Sequence, residues 1–536
     1  MEPVNRKQYS SNNVLSSGWT FRTKRDKNNK VTRQRARFFP KGCSQVMWHD
    51  FHPNSTASPV MRKSSLMMLF VITANEHLFT RSIDLAKAFF TGDLEETVIS
   101  ALPPGYRDDP KYAIYGKDTV WLYKKAAYGL KQAAHNFHVK YVQALLDAGY
   151  KRCLSDTCVL IRRDGDDVLI IGLWVDDHVV SYSSPKMLEH LYQSITNAGY
   201  EYTDEGEWSK ILGMNVRYDR EKGEIVVSHA QYIKKLLYML GLEKLPMKSV
   251  PVKTTMQFSL ADCADAVSAE DYKLFRTLLG GLGHVARWTH PELSFGVSQV
   301  SQVMNSPGKK HLEYLKDIAG YIHNACEKVL TVRCSTKSSE GKHIYRLLGL
   351  TDADYAGCTA TRRSRSGMTW FMNDNLVGSA SKMQKTVSLS TAEAEYVAMV
   401  HAITFGKWAM SLLSELGFEY EKPVRLLGDN MAANAIVSHA NTNHRYTKHI
   451  DIKMRYCKEI VRSGEIDVVY TNTNENVADI MTKALPKSKF LKFRDILLDG
   501  QVDVYPDESQ IKYSLKKVFT EVEDDVELED HEIGDE

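Results

Sequence analysis

Cysteine is scarce and scattered: eight residues in 536, at positions 43, 153, 158, 263, 326, 334, 358 and 457, with no C-x-x-C pair. That spacing excludes the paired-thiolate zinc sites, argues against a disulfide scaffold, and fits a reducing intracellular compartment. The opening Met-Glu-Pro-Val-Asn-Arg-Lys lacks the apolar core of a signal peptide, and no apolar run is read as a membrane span. Acids are nearly missing from residues 1–41, which hold two against eleven Lys or Arg, and basic side chains are missing from 521–536, which hold ten acids and no Lys or Arg. The formal net charge of +3 therefore conceals about +13 on the first 520 residues, a balance that suits a polyanionic partner. The same composition also fits a solvated, disordered arm.

A chain of 536 residues exceeds one hydrophobic core and implies roughly two to four domains. Residues 1–16, polar and rich in Ser and Asn, are expected to be a disordered arm. From 17 to 242 strands and helices alternate, including a strand running to Asp84, a helix over 133–148 and a helix over 231–240. Residues 243–340 read as a helical connection, with amphipathic helices over 272–288 and 311–325 set off by Pro-containing linkers. A second α/β unit is expected over 341–485. It has a strand ending at Asp354, a hairpin turn at 373–375, a long helix over 391–416, strands over 423–427 and 466–470, a basic helix over 447–462 and a last helix from Glu475. Residues 486–536 form an extension ending in an acidic, disordered tail.

Chemistry concentrates at Val168-Leu-Ile-Ile-Gly-Leu-Trp-Val-Asp-Asp-His-Val-Val-Ser-Tyr182, an apolar run interrupted by Asp176 and Asp177. The pattern predicts a buried hairpin with two neighbouring carboxylates at its tip. Adjacent anions repel unless cations neutralise them, and an all-oxygen donor set suits a divalent ion such as magnesium. Two-metal phosphoryl transfer needs clustered carboxylates that hold ions about 3.5–4 Å apart, so a third acid is expected nearby. Asp84, at the end of an apolar-alternating segment, is the candidate, although it could equally cap a helix beginning at Leu85.

At these residues the chain resembles the reverse transcriptase of copia-type LTR retrotransposon Pol polyproteins. The resemblance rests on Ile83-Asp-Leu-Ala-Lys-Ala-Phe-Phe-Thr-Gly-Asp-Leu-Glu-Glu96, Leu102-Pro-Pro-Gly-Tyr106, Tyr128-Gly-Leu-Lys-Gln132, Val175-Asp-Asp177 and Ile211-Leu-Gly-Met214, in family order. Upstream, Gly18-Trp-Thr-Phe21, Arg35-Ala-Arg37, Lys41-Gly42 and Ser58-Pro-Val-Met-Arg62 look like its fingers segment. The resemblance implies a right-hand-type polymerase in which Asp84, Asp176 and Asp177 form the metal-binding triad of the palm. It implies further that Arg37 and Lys41 contact the incoming triphosphate, that Phe89 lies under the nucleotide sugar and excludes a 2′-hydroxyl, and that Gln132 sits near the nucleotide's 3′ side. Phe89 could instead be a core aromatic, and Gln132 a helix-start residue. Trp174 stands where the family usually has Tyr, and His178 where an apolar residue is common.

A second set of acids sits at expected strand ends and helix starts: Asp352 and Asp354, Glu393 and Glu395, Asp429, and Asp479. Ser390-Thr-Ala-Glu393 has capping-box spacing, which would tie Glu393 to the Ser390 N–H and leave Glu395 free as a ligand. Asp429 could be a helix cap, and Asp479 could pair with Lys483 four residues on. Thr351-Asp-Ala-Asp-Tyr-Ala-Gly-Cys358, Ser390-Thr-Ala-Glu-Ala-Glu-Tyr396, Gly428-Asp-Asn430, Thr447-Lys-His-Ile-Asp451 and Asn476-Val-Ala-Asp-Ile-Met-Thr-Lys483 resemble the ribonuclease H domain of the same elements. The resemblance maps the four metal-binding acids to Asp352, Glu395, Asp429 and Asp479, with Asp354 as the alternative to Asp352. Arg445, Lys448 and His449 would grip the backbone of a hybrid.

The expected fold is therefore α+β and α/β multidomain: polymerase fingers and palm, a helical connection, then an RNase H-like domain. The expected activity is RNA-directed DNA synthesis with hydrolysis of RNA in RNA/DNA hybrids, using Mg2+ or its substitute Mn2+. RNA template, DNA primer, hybrid and dNTPs are the implied partners, with no membrane; a homodimer or association with other element-encoded proteins is compatible with the resemblance. A cytoplasmic, particle-associated or nuclear location is expected. A second reading, a domesticated or decaying element product that binds nucleic acid without efficient catalysis, rests on the lack of gag-like, protease and integrase motifs.

Overall fold

A computed structural model of the chain describes residues 1–25, 30–255, 258–335, 343–438 and 448–500. The acidic tail and Arg445 lie outside the described residues. The fold is mixed α/β and divides into two compact units, residues 1–62 with 79–207, and residues 63–78 with 208–536.

The first unit is built on a six-stranded sheet in the order Glu201–Gly206, Phe79–Ala86, Asp177–Tyr182, Asp167–Trp174, Val159–Asp164, Lys151–Arg152. Val168 to Leu173 and His178 to Tyr182 are buried almost without interruption, the pattern of strands covered on both faces. Helix Pro185–Asn197, begun by proline at its first position, packs on three of these strands through Met187, Leu188, Leu191 and Ile195. A four-stranded sheet orders Glu2–Asn5, Thr119–Leu122, Ile99–Ala101 and Val14–Leu15. The N-terminal arm is thus not disordered: Glu2 to Asn5 pair in register with Leu122 to Thr119, and Val4 and Leu15 are buried, so two apolar anchors order a segment whose composition is otherwise polar. A separate hairpin joins Ser17–Arg25 to Val31–Pro40.

In the second unit, helix Lys63–Asn75 is buried along most of its length and lies against strands Asn375–Met383 and Leu330–Arg333. Helices Ala269–Trp288 and Lys309–Asn324 lie where two were expected, and a helix Ser294–Ser301 that was not expected stands between them. Their core is continuous with that of the following α/β sheet: Phe275, Leu282, Leu315 and Ile318 belong to one cluster with Leu348, Leu350, Phe371 and Phe493. The five-stranded sheet runs Asn375–Met383, Arg365–Met372, Leu347–Asp354, Val424–Gly428, Ile466–Tyr470, the first three antiparallel and the last two added in parallel.

Helix Thr391–Glu415 covers strands Leu347–Asp354 and Arg365–Met372. By length and composition alone it could cross a membrane, although no apolar run in the sequence is read as a span. Its apolar faces are instead used inside the protein, where Gly406 makes room for the fully buried Trp370. The single helix expected from Glu475 is two elements, a 3-10 turn Val477–Met481 capped by Asn476 and a helix Lys487–Asp499 begun after Pro486. Proline has no N–H for a continuing helix, which explains the break.

Candidate active sites

Asp177 pairs directly with Asp84 across adjacent strands, and Thr203 flanks Asp84 on its other side. Asp84 therefore lies within strand Phe79–Ala86 and is not a helix cap. Trp174 pairs with Asp177 to close a two-residue turn at Val175 and Asp176. Val175 takes a φ of 63°, a left-handed conformation that costs a β-branched residue about 1–3 kcal/mol. The Asp176 carbonyl accepts the Leu85 N–H at 3.0 Å, which ties the strained tip to the strand bearing Asp84. Burial of its carboxyl, then the charges of Asp176, Asp84 and Glu205, push Asp177 up to about 6. Such mutual repulsion is what a bound cation relieves.

His178 points the other way. It is 1% exposed, with Nε2 2.7 Å from the Tyr141 hydroxyl and Nδ1 3.3 Å from the Ile83 carbonyl oxygen. Burial lowers it to about 4, so it is a neutral core residue filling the place of an apolar one.

The basic hairpin places Arg22 directly opposite Arg35 and Thr20 opposite Arg37, so Arg22, Arg35, Arg37 and, two residues on, Arg33 share one face. Like charges directly opposed destabilise a sheet pair, and none of these four has an acidic partner among the described residues. Arg37 lies 5.0 Å over the Tyr128 ring, and Tyr128 feels the charges of Asp176, Arg37, Arg35 and Asp84. The basic face and the acid pair thus meet around Tyr128. Arg35 and Tyr128 stand in the quoted motifs but were given no role from sequence, although the same-face spacing of Arg35 and Arg37 was there to read. Lys41 is exposed just beyond the hairpin. Phe89 is half-buried and meets Tyr128 edge to face at 4.6 Å. Gln132 is fully buried: its amide donates to the Asp50 carbonyl at 2.9 Å and accepts from Gln45 at 3.0 Å, so it props the loop at residues 45–50 and offers no group to solvent.

In the second unit, Asp352, Glu395 and Asp429 each bring one carboxylate oxygen within 4.8 Å of the others. Three elements converge to do this: Asp352 near the end of its strand, Glu395 in the opening turns of the long helix, and Asp429 just after strand Val424–Gly428. Ser390 caps that helix, accepting the Glu393 N–H at 3.1 Å. Glu393 accepts from the Leu389 N–H at 2.7 Å, one residue earlier than the capping box predicts, and is still occupied locally. Asn430, not Asp429, caps the next helix, accepting the Ala433 N–H at 2.9 Å, which leaves Asp429 free. Burial first, then neighbouring acids, push both Asp352 and Glu395 well above the carboxylate range. An all-oxygen set under this repulsion fits a hard divalent cation.

Asp479 is fully buried, with Lys483 at 2.8 Å and Lys489 at 2.6 Å, so the expected surface ion pair is a buried one with a second lysine. It sits beside Asp352, which bonds to Thr482 and lies 3.6 Å from Lys483, but it stands outside the three-acid group. Asp354 also stands outside that group, its carboxylate folded over Gly357 so that a Cβ there would collide with it. Lys448 and His449 belong to helix Lys448–Arg462.

Residues 6–254 match the family described as reverse transcriptase (RNA-dependent DNA polymerase). The chain is 29% identical over 480 residues to the retrovirus-related Pol polyprotein from transposon TNT 1-94 of Nicotiana tabacum, which covers 89% of this chain and 35% of that protein. It is 27% identical over 482 residues to the Pol polyprotein from transposon RE1 of Arabidopsis thaliana, covering 90% and 31%. Residues 6–254 thus resemble reverse transcriptases, and over about nine-tenths of its length the chain is similar to retrotransposon Pol polyproteins. The chain spans about a third of the length of these curated relatives, and the similarity runs through both acid clusters.

Proposed function

We propose that the chain is an RNA-directed DNA polymerase carrying a ribonuclease H, the first unit extending a primer and the second hydrolysing RNA in the resulting hybrid. The observation that carries the reading is the pairing of Asp177 with Asp84 beneath a strained turn bearing Asp176, in a segment matching the reverse transcriptase family. We read the six-stranded sheet as the palm and the basic hairpin as the fingers.

The chain's own residues divide the work. Asp84, Asp176 and Asp177 would hold the divalent ions, Mg2+ or Mn2+, and Asp352, Glu395 and Asp429 would do so in the second unit, with Asp479 held beside them by two lysines. Ions at such sites supply charge neutralisation and activation of the attacking oxygen. Arg35 and Arg37 neutralise the triphosphate, and Phe89 closes the space beside the sugar. In the reaction the primer 3′-hydroxyl attacks the α-phosphate of a deoxynucleotide and pyrophosphate leaves. Contacts to phosphates rather than base edges suit an enzyme that must copy any sequence. Primer extension on poly(rA)/oligo(dT) tests the polymerase half, and cleavage of a labelled RNA/DNA hybrid tests the other.

A further inference from the structure

The lip of the second carboxylate site carries an anchored apolar knob. Leu389 is 86% exposed, Val387 48% and Tyr355 39%, yet the loop bearing the first two is held from beneath. Leu389 donates its N–H to Glu393 and its carbonyl accepts the Tyr355 hydroxyl at 3.2 Å. The buried Ser388 hydroxyl donates to Gln384 Oε1 at 3.0 Å, and the Gln384 amide donates to Ser366 Oγ and to the Ala394 carbonyl at 3.0 and 2.9 Å. Single exposed apolar residues are ordinary, but Leu389 and Tyr355 are joined to each other, and the Leu389 loop is tied through Glu393 and Ala394 to the helix bearing Glu395, so with Val387 they form a held contact surface.

Cations share these loops. The Gln384 N–H donates to the Ser364 carbonyl at 2.8 Å, joining this loop to the one bearing Arg362 and Arg363. Those two, with Lys382 and Lys385, are exposed, and none has an acidic partner among the described residues. Apolar side chains and unpaired cations on joined loops suit a sugar–phosphate strand, phosphates against the cations and sugars against the knob.

We propose that Leu389 contacts the deoxyribose face of the DNA strand of a hybrid bound at Asp352, Glu395 and Asp429, and so discriminates against duplex RNA. The inference rests on the nuclease reading above. The two strands of a hybrid differ along their backbones only in the 2′-hydroxyl. A deoxyribose methylene fits against leucine, whereas a ribose hydroxyl there would be buried without a partner.

The test uses the full chain, cleaving a labelled RNA/DNA hybrid in Mg2+ with duplex RNA of the same sequence as competitor. Because Leu389 is solvent-facing, Leu389→Ser leaves the fold intact. It should raise KM for the hybrid on the order of fivefold, the loss of one apolar contact, with kcat within about twofold. It should also improve inhibition by duplex RNA relative to hybrid binding by a similar factor, while Leu389→Met behaves as wild type. A KM and a discrimination unchanged in Leu389→Ser, or a fall in kcat alone, overturns the proposal while the nuclease reading stands. A wild-type chain that does not cleave the hybrid overturns both.

Discussion

His178 Nε2 lies 2.7 Å from the Tyr141 hydroxyl, inside the sheet whose next residue outward is Asp177. One strand thus sends a carboxylate and a neutral imidazole to opposite faces of the sheet in successive positions. The imidazole is held near 4, below its unfolded value, so unfolding takes up a proton between about pH 6.5 and 4. Stability therefore falls as pH drops through that window, by up to about 3 kcal/mol. His178→Gln keeps a polar partner for Tyr141 without titrating. The wild-type thermal midpoint should fall between pH 7 and 5 by more than the variant's, and equal falls would show that His178 is not the group responsible.

Ion binding at the second site is measurable apart from turnover. Glu395→Gln removes one of three repelling carboxylates, so the variant should melt higher than wild type in EDTA. Mg2+ should then raise the wild-type midpoint and leave the variant's unchanged, and hybrid cleavage should fall by about 100-fold or more. A variant that still gains stability from Mg2+ would place the ion elsewhere.

Asp479 depends on both lysines. Lys489→Met leaves a fully buried carboxylate with one partner and should cost about 2–3 kcal/mol of stability in urea unfolding of the full chain. Adding Asp479→Asn to it should recover most of that loss, which a simple packing role for Lys489 would not allow.

Arg35 and Arg37 share the face of the hairpin that meets Tyr128 near the acid pair. Arg35→Ala should raise the KM for dNTP about tenfold while primer–template affinity stays within about twofold, because a lost guanidinium–phosphate contact acts on the nucleotide. An unchanged KM with weaker template binding would assign Arg35 to the nucleic acid instead.

Much of this was legible in the sequence, and the gaps have causes. The acid-bearing hairpin, the long helix from Thr391 and the parallel strand ending before Asp429 follow from apolar runs broken by polar tips and caps. Helix Lys63–Asn75 was missed because it is buried on nearly every side and so lacks an amphipathic period. The order in the N-terminal arm hangs on Val4 and Leu15, too few apolar residues to register in composition. Gln132 has a motif position but a role set by Gln45 and Asp50, more than 80 residues away in sequence. His178 looked foreign beside the acids, and only the Tyr141 hydroxyl from helix Ala133–Asp147 explains why a polar ring is tolerated there.

The central claim is that Asp84, Asp176 and Asp177 form one polymerising site, and primer extension tests it most directly. Wild-type protein on poly(rA)/oligo(dT) with dTTP should extend the primer in Mg2+ and stop on addition of EDTA. The double substitution Asp176→Ala plus Asp177→Ala should reduce extension by at least about 1000-fold while hybrid cleavage by the second unit persists. Extension that survives the double substitution, or its absence in the wild type, would contradict the account.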